Sequence, residues 1–122
     1  MKTPILLFAT ILLSGCMGSV PTSSTPVDGP NSMIEVGREF VTYDFKDPTS
    51  AQFRGESLYR LGNGDFAVCG QVNGKNSFGA YNGFQPYYVR LTAAGAGVLK
   101  RTDVLAEQGC RQLSTGTINL RA

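Results

Sequence analysis

The stretch Leu61-Gly-Asn-Gly-Asp65 constrains this chain more than any other segment. It lies between two strand-like runs, Ser57 to Leu61 and Phe66 to Val72. Asn63-Gly64 is the dipeptide that tight hairpin turns prefer, because both central residues need positive φ. The two runs are therefore expected to pair antiparallel. Alternation then assigns their faces: Phe66, Val68, Gly70 and Val72 on one side, Ala67, Cys69 and Gln71 on the other. A cysteine opposite an aromatic face marks a strand covered on both sides.

The flanking segments extend this pattern. Met33, Val36, Phe40 and Val41 follow helical spacing, although Val41, Tyr43 and Phe45 also alternate as in a strand. A short helix over residues 34–45 is the expectation. Asp47-Pro48 suits an N-cap followed by a first helical position, predicting one turn over Pro48 to Gln52. Phe84 to Leu91 reads as a strand, Thr92 to Gly97 as a turn, and Val98 to Thr102 as a returning strand. Asp103 can cap a helix running through Leu113 that carries Cys110. Thr117 to Arg121 alternates weakly and can add an edge strand. The expected fold is α+β: one domain over residues 33–122, with a short N-terminal helix packed on an antiparallel sheet of three to five strands.

The N-terminus carries a different signal. Lys2 is followed by the apolar run Ile5 to Leu13 and then by Ser14-Gly15-Cys16. A positive start, an apolar stretch and small residues fit a cleaved signal peptide over residues 1–15. The run has about half of the roughly 20 residues that a spanning helix needs. Leu13-Ser14-Gly15-Cys16 resembles the lipobox of bacterial lipoprotein precursors. That resemblance implies lipidation of the Cys16 thiol and cleavage just before it; a plain secretory signal with a chance cysteine is the other reading. Met17, rather than Asp, at the second mature position implies an outer-membrane location facing the periplasm.

Removing residues 1–15 of the 122 leaves 107, one small domain plus an arm. Residues 16–32 hold three of the six prolines among small polar residues, which reads as a lipidated cysteine on a disordered tether. Such a tether spans roughly 20 Å on average. With Cys16 lipidated, Cys69 and Cys110 remain as an even pair in an oxidising compartment. A bridge between them would close a loop of about 42 residues and contribute roughly 4 kcal/mol. Two buried free thiols are the alternative.

Phe78, Tyr81, Phe84, Tyr87 and Tyr88 place five of the chain's twelve aromatics in one short segment, interleaved with Gly79, Gly83, Asn76, Asn82 and Lys75. The segment Tyr59 to Val89, together with Asp47 to Arg54, resembles a family of small exported proteobacterial proteins. The matching residues include Asp47, Pro48, Ser50, Ala51, Phe53 and Arg54. They continue through Val68, Cys69, Gly70, Val72, Asn73, Lys75, Asn76, Phe78, Gly79, Tyr81, Gly83, Phe84 and Pro86. Ala80 departs from the family's glycine. The resemblance implies a shared shape and no particular chemistry. Two readings of the rings stand side by side. They can be core area with glycines at the turns, or Lys75, Asn76, Phe78, Tyr81 and Tyr87 can form a recognition surface. Strand alternation places Phe84 and Tyr88 toward the core and leaves Tyr81 and Tyr87 nearer solvent.

Several classes of function fit poorly. The chain has no histidine, so a Ser-His or Cys-His nucleophile pair cannot be built, and histidine-based metal sites are excluded. Gly70 to Asn76 is one residue short of a P-loop and lacks its Ser or Thr. The carboxylates Glu56, Asp65, Asp103 and Glu107 are scattered. Eleven basic side chains face nine acidic ones, spread singly, which argues against nucleic acid. No cofactor or metal is expected. The residues fit a non-catalytic, lipid-anchored envelope protein, a binding or assembly module whose partner is a protein or cell-wall glycan. An inhibitor of an incoming hydrolase such as a lysozyme is the alternative.

Overall fold

A computed structural model of the chain describes residues 20–28 and 31–120; the signal segment and Cys16 lie outside them. The elements in order are β1 (Val20–Val27), α1 (Ser32–Thr42), a single 3-10 turn (Pro48–Ser50), β2 (Gln52–Leu61), β3 (Phe66–Asn73), β4 (Gln85–Leu91), β5 (Gly97–Arg101), α2 (Val104–Ser114) and β6 (Thr117–Leu120). The six strands form one antiparallel, curled sheet in the order β5-β4-β3-β2-β1-β6. The fold is α+β. It has more strands than the three to five expected, and its first helix follows a strand rather than leading the domain.

That leading strand corrects the tether reading. Val20 to Val27 is mostly exposed, with only Ser24 buried, so its composition carries no burial signal. Backbone pairing holds it instead, and on one side at a time. Val20 to Ser23 pair with β6, from Val20–Leu120 to Ser23–Thr117. Ser24 to Val27 pair with β2, from Ser24–Leu61 to Val27–Leu58. Each half is thus an edge along one flank, which is where proline, lacking an N–H, is tolerated in a sheet. Pro21 and Pro26 fall one in each half. Ser24 fastens the switch point: its amide donates to the Gly116 carbonyl at 2.9 Å, and its hydroxyl to the Leu113 carbonyl at 2.8 Å.

The two helices cover opposite faces, as the two-sided pattern of β3 requires. Asn31 caps α1 by accepting from the Met33 amide at 2.9 Å. Met33, Val36, Phe40 and Val41 then pack on Leu58, Phe66, Val68, Val72 and Val89. On the other face, α2 begins at Asp103, whose carboxylate accepts from the Leu105 amide at 2.9 Å. Ala106 and Leu113 pack there with Leu61, Ala67, Tyr88 and Ile118. Cys69 and Cys110 form a disulfide, with Cα atoms 5.7 Å apart, fastening the middle of the sheet to α2.

Candidate functional site

The β3–β4 connection is a built structure rather than a slack loop. Asn76 organises it. Its side-chain oxygen accepts from the amides of Phe78 (2.9 Å) and Ala80 (3.1 Å), and its own amide donates to the Ala80 carbonyl at 2.8 Å. Lys75 and Tyr81 face each other in an antiparallel bridge below this tip. Farther down, Asn73 accepts from the Gly83 amide at 3.0 Å and donates to Gln52 at 3.3 Å. Two asparagines therefore supply bonds that strand ladders supply elsewhere. The Tyr81 hydroxyl donates to the Ser50 carbonyl at 2.8 Å, tying the hairpin to the 3-10 turn.

This framework carries Phe78 at its tip with the ring 95% exposed. Tyr81 is exposed as well, with its ring covered by the Lys75 ammonium 5.3 Å from the centroid. Beside the hairpin lies an open cleft of about 320 Å³. Lys75, Asn76, Asn82 and Gln85 line one wall, and Asp44, Phe45 and Lys46 from the turn after α1 line the other. Asp44 is held below the usual carboxylate range by its hydrogen bond from Lys100, at 2.9 Å. Neither Phe78 nor Tyr81 lines the cleft.

Of the five residues assigned to a recognition surface, Lys75, Asn76, Phe78 and Tyr81 come together on this hairpin. Tyr87 does not. It is fully buried, on the α1 face of β4 with Val89 and Leu91, its ring set edge-on to Phe53 at 5.9 Å. Alternation separated Tyr87 from Tyr88 correctly, but both faces of β4 are covered, so changing face does not reach solvent. Burial, reinforced by a hydrogen bond to the Glu56 carboxylate, pushes the Tyr87 phenol well above its ordinary pKa. Tyr88 is in the core under α2. Phe84, expected in the core, is only half-buried, with the Arg54 guanidinium 3.8 Å above its ring.

A second cluster was hidden among the scattered carboxylates. The Glu56 side chain is 8% exposed and accepts from Arg38 Nε at 2.9 Å, from Arg38 Nη2, and from the Tyr87 hydroxyl. A bulge between Arg54 and Ser57, with Gly55 at φ +61°, turns Glu56 inward. Such a bulge re-aims side chains by one position. It also lets Phe53 and Leu58, an odd number of residues apart, share the α1 face. Leu58 is a core residue two positions on, which was the sequence signal available for an inward Glu56. Its groups satisfy one another, so it has the character of a buried structural ion pair. Among the described residues, no group of three or more His, Cys, Asp or Glu side chains is placed to hold a metal ion.

No family model matches this chain, and comparisons with curated proteins and with solved structures find no significant similarity.

Proposed function

We propose that this chain is a lipid-anchored, non-catalytic envelope protein that binds a partner through the Lys75–Tyr81 hairpin. The observation that carries the reading is Phe78: an almost fully exposed ring at the tip of a hairpin ordered by Asn76. A solvent-exposed aromatic is unfavourable on its own, and presenting it on a stiff support removes most of the ordering cost of binding. Anchors of this kind supply much of the energy at protein interfaces. A protein with an apolar socket fits better than a glycan, because Tyr81 has its hydroxyl bonded and one face covered, leaving a single free ring rather than a stacking platform. The same shape supports the second reading, a plug for the cleft of a foreign hydrolase.

The membrane attachment rests on the lipobox-like Leu13 to Cys16. Labelled palmitate should enter the wild-type protein and not Cys16→Ser; equal labelling would refute lipidation. Capture from solubilised envelopes should yield one resident protein that Phe78→Ala no longer retains while its thermal unfolding stays unchanged. Capture of an added lysozyme-type hydrolase, equally sensitive to Phe78, would favour the inhibitor reading. Partner capture indifferent to Phe78→Ala would refute the site.

A further inference from the structure

On the opposite face from α1 lies a larger cleft, about 440 Å³, between α2 and the two edge strands of the sheet. Val98 from β5, Leu105 from α2 and Leu120 from β6 contribute apolar side chains to it, and Tyr88 and Ile118 line its buried part. Val98 and Leu105 are 43% and 46% exposed, so the rim is apolar and open. Arg90 and Arg101 also line it, and no carboxylate does. Arg90 is ion-paired with Asp65, its buried Nε 3.7 Å from Oδ2, which leaves the exposed Arg101 as the cation open to the cleft.

The position of this cleft follows from β1. Val20 is paired with Leu120, and cross-strand partners point to the same face of a sheet. The chain therefore enters the domain beside a residue that lines the cleft. Cys16 is four residues before Val20, a reach of at most about 14 Å. A lipid on Cys16 would hold this part of the domain against its membrane, where a sixteen-residue tether would have left the domain free.

We infer that the α2–β5–β6 cleft docks on phospholipid of the leaflet that holds the Cys16 lipid, with Val98, Leu105 and Leu120 meeting acyl chains and Arg101 meeting headgroup phosphate. The apolar rim, the exposed Arg101 with no carboxylate lining the cleft, and the covalent reach from Cys16 converge on that occupant. The inference rests on the lipidation proposed above.

The test places photoreactive benzoylphenylalanine at Val98, Leu105 or Phe78 in the full chain, expressed in cells with palmitate labelling followed in parallel. Lipid adducts should be several-fold more abundant at Val98 and Leu105 than at Phe78. With palmitate incorporated and the Cys69–Cys110 bridge intact, lipid adducts absent from Val98 and Leu105, or replaced there by protein adducts, overturn the docking and leave lipidation standing. Absence of palmitate removes the anchor and overturns both. Should a substituted chain fail to form the bridge, hydrogen exchange on the wild-type lipidated protein decides. Amides over residues 97–108 should exchange more slowly in phosphatidylglycerol vesicles than in detergent, and unchanged exchange overturns the docking.

Discussion

Gly70 offers the sharpest test of how the buried ion pair is built. A Cβ added there would lie 2.8 Å from Glu56 Cγ, 2.9 Å from Tyr87 Cε1 and 3.2 Å from Glu56 Cα. None of the three can move freely. The Glu56 carboxylate is tied to Arg38 and Tyr87, its Cα belongs to the bulge, and the Tyr87 ring is fully buried against Phe53. Overpacking a well-filled core costs about 1–3 kcal/mol, and each hydrogen bond loosened adds about 0.5–1.5 kcal/mol. Gly70→Ala should therefore destabilise by about 3 kcal/mol. With a urea m-value of about 1–3 kcal/mol/M for a small domain, the midpoint should fall by at least about 1 M. The assay is a urea titration of the oxidised protein, with m required to stay constant. In a Glu56→Ala background the same substitution should cost at least about 1 kcal/mol less, since a shared contact is removed. A loss below about 0.5 kcal/mol, the range of ordinary surface substitutions, or strict additivity with Glu56→Ala, would refute the packing argument.

Replacing Cys69 and Cys110 together by Ala should cost about 2–5 kcal/mol, read as a lower urea midpoint and lost refolding at physiological temperature. Alkali should destabilise the protein through its buried phenols. Burial raises the Tyr87 and Tyr88 pKa values, so above the ordinary phenol pKa of about 10 the unfolded chain loses protons that the native one keeps. Their stabilising contribution is complete below that pH and is lost as pH rises further, by up to about 1.4 kcal/mol per pH unit for each group. Tyr88→Phe should flatten the slope measured by denaturation at stepped pH. Asn76→Ala removes the acceptor of two tip amides and should speed hydrogen exchange over residues 76–81, while global stability falls by no more than about 1 kcal/mol.

Where the chain buries side chains in a regular rhythm, the fold could be read from it. The β2–β3 hairpin, the two-sided strand from Phe66, the Asp103-capped helix and the bridge it carries all follow from turn residues, alternation or cysteine count. In the hairpin, only Gly64 (φ +92°), and not Asn63, takes the positive φ expected of both, and the turn closes from the Gly64 amide to the Leu61 carbonyl. Two kinds of feature escaped. β1 is held by backbone bonds, with one buried side chain among eight residues, so its prolines and serines resemble a tether. Its pairing depends on β2 and β6, far along the chain. Glu56 and Tyr87 escaped because a bulge and a doubly covered strand break the link between alternation and exposure. In the hairpin, the density of rings and amides was visible, whereas the sorting of Phe78 outward and Tyr87 inward depends on the length of the asparagine-built extension.

The hydrogen bonding of Val20 to Leu120 also bears on when this protein can become itself. One of the two partners of β1 is β6, a hundred residues later, so this contact carries one of the largest loop-closure costs available to a chain of this length. Contacts so distant in sequence slow folding. The sheet cannot be completed while the C-terminus is still being synthesised or threaded through a membrane. Until then β1 lacks its β6 flank, and Val20 to Ser23 have no strand to pair with. Any enzyme that acts on the chain before the C-terminus is released would thus meet a domain whose first described strand is only half paired, with Thr117 to Leu120 acting as the latch.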